Sequence, residues 1–186
     1  MKSLFSSENS TPTDVASVLL VDYREDNPHI LESQRTGSER FTLPVGKLEL
    51  GESREKCAIR ELEEETGIII ADPEFLIEAH ATVPAISVKG VDVKFHAFFA
   101  FFDEATNGQQ PAILEPEKQN EWKWVPVSSL VKMATRGVFP SAGLGEWWIE
   151  ILDELLDTRN MPTLLELHLY QLAGNSSRAD VGRHKP

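Results

Sequence analysis

The chain has 186 residues, of which 41% are hydrophobic and 26% are charged, a composition typical of one soluble globular domain with a sizeable core. Its formal net charge of −12 argues against polynucleotides and anionic membranes as main partners, although metal ions can bridge a small polyanion to an acidic protein. The single cysteine, Cys57, excludes an internal disulfide framework, and no signal peptide or membrane-spanning run is evident, so we expect a cytoplasmic protein.

The first part of the chain predicts a loose arm and then two strands. Residues 1–13 are rich in Ser, Thr and Asn, which predicts the arm. The nearly continuous apolar run at residues 15–23 predicts a buried strand, and residues 30–35 predict a second strand after a turn. Arg35 ends that strand. It is a candidate partner for a carboxylate or a substrate phosphate, and an ordinary surface position is an equal alternative.

Residues 46–68 contain the densest pattern of the sequence, because four glutamates lie within residues 61–65. Residues three and four apart share one face of a helix, so Glu61, Glu64 and Glu65 are predicted to lie together. Carboxylates this close repel one another unless a cation lies among them, and Mg²⁺ prefers oxygen ligands. An acidic helix face alone is more often a solvated surface.

The residues on either side define the ends of this acidic helix. Ser53 is a suitable N-cap and Gly67 a suitable left-handed C-terminal cap, which predicts a helix over residues 54–65. Ala58 and Leu62 are expected to face the interior of the protein.

The segment after this helix predicts further strands. Short strands are expected at residues 68–70 and 75–83, a flexible loop at 84–90, and the clearest strand at 91–102. His96 is expected on the opposite face of that last strand from Phe95. It is interpreted as a contact to a substrate base or as a hydrogen-bonding residue beside the sheet, and His80 is interpreted in the same way.

The remaining sequence predicts a long loop, a strand and helices. Residues 103–120 contain Gly and Pro and are predicted as a loop, and loops of this length are often functional. Trp122 and Trp124 alternate on a predicted strand and share a face, as a base-stacking wall or, more conservatively, as buried core. Helices are predicted at 125–130, 146–157 and 162–172, followed by a polar, disordered tail.

The central pattern resembles the signature of the Nudix hydrolases. Val45 stands where many members have the first glycine of a Pro-Gly-Gly turn. The residues that match the fixed positions of the signature are Gly46, Glu52, Arg60, Glu61, Leu62, Glu64, Glu65, Gly67 and Ile68. Beyond this box the resemblance extends from about residue 15 to 130, and the run Glu115-Pro-Glu-Lys followed by Trp122-Lys-Trp resembles the MutT-like nucleoside triphosphate pyrophosphatases.

The resemblance implies a fold and a set of residue roles. The implied fold is an α/β/α sandwich with a mixed sheet, formed by one Nudix domain over residues 14–173 with a tail at 174–186. Glu61, Glu64, Glu65 and the Gly46 carbonyl are implied as ligands of Mg²⁺ or Mn²⁺, and the three glutamates also as catalytic residues. Glu52 and Arg60 are implied as a structural ion pair.

Several functional alternatives remain open at this point. Nudix enzymes activate water with a box glutamate or with an acidic residue on a distant loop, for which Glu117 is the first candidate and Glu121 the second. Arg35, His96 and Trp122 are candidate substrate contacts. The first interpretation is Mg²⁺-dependent cleavage of a nucleoside triphosphate, normal or oxidised, to a monophosphate and pyrophosphate.

A second interpretation is a Nudix hydrolase of another nucleoside or prenyl diphosphate, such as ADP-ribose, NADH or geranyl diphosphate. A third is a non-catalytic Nudix module that binds a nucleotide or a protein. Homodimers are common in the family, so a homodimer is also expected as one option.

Overall fold

Two long strands, β1 (Thr13–Arg24) and β7 (Val91–Phe101), run parallel to each other through the centre of one mixed sheet. The computed structural model describes residues 11–24, 27–37, 40–80, 86–88, 91–138 and 147–156. The remaining strands of these residues are β2 (Asn27–Arg35), β3 (Phe41–Thr42), β4 (Val45–Lys47), β5 (Ile77–Glu78), β6 (Ile86–Val88) and β8 (Gln119–Pro126). Their helices are α1 (Arg54–Thr66), α2 (Phe102–Thr106), α3 (Val127–Ala134) and α4 (Trp147–Leu156).

The sheet order places the loop before α1 beside the centre of the sheet. Its main path is β3-β2-β1-β7-β5, with β4 also paired to β1, β6 to β7 and β8 to β2. Every pairing in the described residues except β1–β7 is antiparallel. None of the helices in this part of the chain has the length and apolar character needed to cross a membrane.

The core forms on both faces of the sheet, because successive residues of β1 point to opposite sides. Leu19 packs on one face with Leu130 of α3 and Trp148 of α4. Leu20 packs on the other face with Leu62 of α1. The sheet is therefore covered by α1 on one side and by α3 and α4 on the other, which confirms the predicted α/β/α sandwich. Truncating a buried leucine such as Leu62 to alanine typically costs about 2–5 kcal/mol.

The clearest predicted strand is confirmed as β7, and its alternation is also as predicted. Val93, Phe95, Ala97, Phe99 and Phe101 join the core on the α3 and α4 side. The residues between them in the second half of the strand are also buried, because a central strand has helices on both faces.

The short strand predicted at residues 68–70 is wrong. Ile68 and Ile70 are buried and Ile69 is exposed, which reproduces a strand pattern. The backbone N–H groups, however, donate to side chains: Ile68 N to Thr66 Oγ1 at 3.1 Å and Ile69 N to Gln109 Oε1 at 2.9 Å. Among the described residues the segment therefore pairs with no strand, and it continues the cap of α1.

Four predicted boundaries are also corrected. The turn after β1 is shorter than expected, because β2 already begins at Asn27. The strand predicted at 75–83 is reduced, within the described residues, to β5, which follows a 3-10 helix at Pro73–Phe75. The loop predicted at 84–90 contains β6. The loop predicted at 103–120 loses its first residues to α2 and its last to β8.

The two described helices after β8 agree with the prediction in approximate position. The first begins at Val127 rather than at residue 125, and α4 closely matches the predicted range. The helix predicted at 162–172, the N-terminal arm up to residue 10 and the tail at 174–186 lie outside the described residues.

Candidate active site

The site begins at β4, which brings a glycine against the acidic helix. Gly46 pairs with Ala16 of β1, and a Cβ at Gly46 would overlap with the carboxyl group of Glu61. Only glycine therefore lets the Glu61 carboxylate approach the backbone here. The neighbouring Val45 forms part of the strand and pairs with Ser17, and its backbone does not require the left-handed conformation that favours glycine.

Both predicted caps fix the ends of α1. The Ser53 hydroxyl accepts a hydrogen bond from Lys56 N at 3.3 Å. Gly67 adopts φ 73°, in the left-handed region, and its N–H donates to the Glu63 carbonyl at 2.8 Å. The buried face of α1 includes Ala58 and Leu62, as predicted, which turns Glu63 towards solvent.

Arg60 connects the loop to the acidic face of α1. Its guanidinium donates twice to the Glu52 carboxylate, at 2.9 and 3.0 Å, and once to the Lys47 carbonyl at 3.0 Å. It also donates to Glu61 at 2.7 Å and to Glu64 at 3.0 Å. The hydrogen bonds from Arg60 lower the pKa of Glu52. One cation therefore holds the loop and neutralises two of the predicted metal ligands.

Glu65 is the carboxyl group of this face with the least compensation. Its Oε2 atom is buried and has no hydrogen-bond partner in the part of the chain that the structure describes. Burial, followed by the charges of Glu61 and Glu115, raises the pKa of Glu65 to about 8, while Lys118 and Arg35 act in the opposite direction. Glu115 and Lys118, two charged residues from a distant loop, thus influence the acidic face of the helix.

The distant loop is attached to the C-terminal end of α1. Ala112 N donates to the Thr66 carbonyl at 2.8 Å. The Glu65 carbonyl accepts from Gln119 Nε2 at 3.4 Å and from Trp122 Nε1 at 3.3 Å. These contacts hold the beginning of β8 against the last turn of α1, and this explains how Glu115 comes close to Glu65.

Glu115 was missed by the sequence prediction, which favoured Glu117 and then Glu121. Both of those residues are exposed, and Glu121 lies 3.8 Å from the exposed Lys123. The charge from this loop that most strongly disfavours ionisation of Glu65 belongs to Glu115. Its position at the start of the Glu-Pro-Glu-Lys run was the available signal.

The predicted substrate contacts have different positions in the structure. Arg35 lies at the end of β2, opposite Gln119, and its positive charge favours the ionised form of Glu65. Trp122 is buried beside Leu62, which is the core position given as the more conservative interpretation. Trp124 lies on the same face and is half-buried, with its ring 4.8 Å from that of Phe102.

The two histidines each contact a carboxylate. His96 is buried on the α1 side of the sheet, and its Nε2 lies 2.7 Å from Asp14 Oδ1. His80 is exposed, and its Nδ1 lies 3.0 Å from Glu154 Oε1. Both arrangements correspond to the structural interpretation given above.

The donor atoms of the site suit a hard divalent cation. The Glu61, Glu64 and Glu65 carboxylates and the Gly46 carbonyl are oxygen donors, and the orphaned oxygen of Glu65 is already removed from solvent. In the described residues no three side chains of His, Cys, Asp or Glu are gathered closely enough to hold a metal ion. Glu61 and Glu64 instead accept hydrogen bonds from Arg60. The donor atoms are therefore of the kind that Mg²⁺ prefers, and binding of the ion would require these side chains to reorient.

Comparison with known proteins agrees with the fold and the box. A family model described as NUDIX domain matches residues 12–148. A C. elegans Ap4A hydrolase in a binary complex shares 20% identity at a TM-score of 0.56, covering 78% of this chain and 98% of that chain. The NUDIX domain of Shewanella oneidensis NrtR, complexed with ADP ribose, shares 19% identity at a TM-score of 0.57, covering 79% and 90%.

A third similar structure is a MutT NUDIX hydrolase from Burkholderia pseudomallei, with 23% identity, a TM-score of 0.52, and coverage of 64% and 86%. At these identities the structural similarity establishes the fold, while the family match covers most of the chain. The protein belongs to the NUDIX family. It is a Nudix hydrolase with an intact box, an enzyme that acts on pyrophosphate bonds.

Proposed function

We propose that the protein is a Mg²⁺-dependent pyrophosphohydrolase that cleaves a purine nucleoside triphosphate between its α and β phosphates. The products would be a nucleoside monophosphate and pyrophosphate. The observation that carries this proposal is the position of Glu65: its Oε2 atom is buried and has no hydrogen-bond partner among the described residues, while the charges of Glu61, Glu115, Arg35 and Lys118 all influence its carboxyl group. Carboxylates for metal ions and cations for phosphate thus meet at one end of α1.

The metal would be held by Glu61, Glu65 and Glu64, together with the Gly46 carbonyl. When bound, Mg²⁺ neutralises phosphate oxygens and acidifies a coordinated water. The glycine at position 46 keeps the backbone accessible to the Glu61 carboxylate. Arg60 acts as the counter-ion of Glu61 and Glu64 in the metal-free protein and retains its bond to Glu52 throughout.

Glu115 is our candidate for the residue that accepts the proton of the attacking water. A general base must lie within hydrogen-bond reach of that water, directly or through one further water. This assignment is supported by the charge of Glu115, which disfavours the ionised form of Glu65, a proposed metal ligand. Glu117 and Glu121 are retained as the competing candidates, because they belong to the same loop region.

The substrate class rests on charge and on the resemblance around residues 115–124. The net charge of −12 opposes a long polyanion, whereas a single nucleotide brings few negative charges and can carry its own metal ions. The similar structures include proteins titled as an Ap4A hydrolase and as an ADP-ribose complex. Dinucleotides and ADP-ribose are therefore the leading alternatives.

The test is a substrate panel with Mg²⁺, analysed for both products and compared by catalytic efficiency. The panel contains normal and oxidised guanine nucleotides, diadenosine tetraphosphate, ADP-ribose, NADH and geranyl diphosphate. We expect the highest kcat/KM for a purine nucleoside triphosphate, with monophosphate and pyrophosphate formed in equal amounts. A clear preference for one of the other four compounds would overturn the substrate assignment, and the absence of turnover for the whole panel would favour a binding module.

A further inference from the structure

Lys118 is an exposed cation beside the acidic end of α1. Its ammonium group lies 2.5 Å from Glu115 Oε1, and its side chain is 60% exposed. Glu115, Glu117 and Glu65 all favour its charged form. Arg60, by comparison, is fixed by three carboxylates and a carbonyl. An exposed lysine ion pair of this kind adds little stability, so Lys118 can exchange its partner at low cost.

The backbone of Lys118 is held firmly although its side chain is largely exposed. The Lys118 carbonyl accepts a hydrogen bond from Thr36 N at 3.0 Å, and its N–H donates to the Glu115 carbonyl at 3.0 Å. The next residue, Gln119, pairs with Arg35 of β2. The backbone of Arg35, at the end of β2, and that of Lys118, immediately before β8, are therefore held next to each other, and both side chains influence the charge of Glu65.

We propose that Lys118 is a phosphate-binding residue that exchanges Glu115 for the diphosphate group of the substrate. This inference rests on the proposed function, because it assumes that a metal-bound diphosphate occupies the end of α1. In the free protein the ammonium group compensates the charge of Glu115. With metal ions held by the glutamates of α1, the charge of Glu115 would be compensated without the lysine, and the phosphate oxygens would supply the new negative partner for Lys118.

This exchange predicts opposite effects on two kinds of binding. Replacing Lys118 by glutamine removes a positive charge that acts on Glu65, a proposed metal ligand, so the free protein should bind Mn²⁺ at least as tightly as before. The same replacement removes a charged donor to phosphate, so diphosphate binding should weaken by about tenfold. A residue with a merely structural role would weaken both.

The experiment measures both affinities by calorimetry for the full chain and for Lys118→Gln, Lys118→Arg and Lys123→Gln. The probes are Mn²⁺ alone and, with Mn²⁺ present, methylenediphosphonate and the α,β-methylene analogue of a purine nucleoside triphosphate. Lys123 is the matched control, because it is similarly exposed on β8 and lies 3.8 Å from Glu121. We expect weaker binding of both phosphonates by Lys118→Gln, recovery by Lys118→Arg, and no change for Lys123→Gln.

Unchanged phosphonate binding by Lys118→Gln would overturn the inference, as would a parallel loss of Mn²⁺ and phosphonate binding. Methylenediphosphonate contains only the group shared by all candidate substrates. A selective loss of its binding therefore supports Lys118 even if the substrate panel excludes nucleoside triphosphates. Conversely, unchanged phosphonate binding by Lys118→Gln, together with cleavage of the triphosphate, would exclude Lys118 as a phosphate-binding residue and leave the proposed function intact.

Discussion

Arg60 donates two hydrogen bonds, of 2.9 and 3.0 Å, to the Glu52 carboxylate and so joins the loop before α1 to the helix itself. Glu52 also accepts the N–H of Glu49 at 2.9 Å, which closes the turn of that loop. Both side chains are mostly buried. Bidentate pairs of arginine and carboxylate are among the stronger charge-assisted hydrogen bonds, so this pair should contribute to stability as well as to the site.

We expect Arg60→Ala to lower both the free energy of unfolding and the turnover. Removing one partner of a buried ion pair typically costs about 3–5 kcal/mol, and the remaining exposure of Arg60 favours the lower end of that range. Thermal and denaturant unfolding measure this effect. Lys56→Ala, on the exposed part of the same helix, serves as the control. Unchanged unfolding with lost activity would instead make Arg60 a direct participant in the chemistry.

Gly46→Ala should abolish most of the activity at a smaller cost in stability. The added methyl group would overlap with the Glu61 carboxylate and displace it from the backbone carbonyl that we assign as a metal ligand. Val45→Ala is the neighbouring control, because Val45 packs in the core on the α3 and α4 side. It should cost stability and retain activity. Full activity of Gly46→Ala at limiting Mg²⁺ would disprove the proposed role of this glycine.

Glu115→Gln and Glu117→Gln form a matched pair that identifies the distant acid. General-base catalysis typically contributes a factor of about 10²–10⁴, so Glu115→Gln should lower kcat within that range. Glu117→Gln should have a much smaller effect, because the Glu117 carboxyl group is exposed and its charge influences the pKa of Glu65 less than that of Glu115 does. Steady-state kinetics at saturating Mg²⁺ decide between them. A larger loss of kcat in Glu117→Gln than in Glu115→Gln would assign the role of general base to Glu117.

Glu32 gives the protein a pH-dependent stability that is separate from catalysis. Burial raises the pKa of Glu32 to about 7 from 4.5, against the opposing charge of Lys123, and its Oε2 atom has no partner among the described residues. The folded state therefore holds a proton that the unfolded state releases. Stability is greatest below pH 4.5 for this group and is lost as the pH rises through 7.

We expect Glu32→Gln to stabilise the protein at pH 8, by on the order of 3 kcal/mol, and to have little effect at pH 5. Denaturant unfolding at both pH values measures the difference. The exposed Glu63→Gln variant should show no such dependence. Equal effects of Glu32→Gln at the two pH values would mean that Glu32 titrates normally.

The features set by local spacing could be predicted from the sequence. Ser53 and Gly67 cap α1 as expected, because caps depend on residues within one helical turn. The alternation in β7 likewise identified residues such as Phe95 and Phe99 as core. The metal and catalytic roles assigned to Glu61 and Glu65 remain predictions.

The features that depend on distant pairings could not be predicted in the same way. Glu115 approaches Glu65 only because β8 pairs with β2 and because Trp122 and Gln119 donate to the last turn of α1. The three consecutive isoleucines at residues 68–70 suggested a strand, but their alternating burial results from packing beside the helix cap. Short elements such as β5 and β6 exist through their pairing with β7, which no local pattern reveals.

The role of Glu61 and Glu65 as Mg²⁺ ligands is tested most directly by turnover of Glu61→Gln, Glu65→Gln and Glu63→Gln over a range of Mg²⁺ concentrations. Each substitution keeps the size of the side chain and removes one charge, and circular dichroism verifies folding. We predict that Glu61→Gln and Glu65→Gln lose orders of magnitude in turnover at limiting Mg²⁺, while the exposed Glu63→Gln remains nearly unchanged. Near-normal turnover of either of the first two variants at limiting Mg²⁺ would contradict the assignment of the metal site.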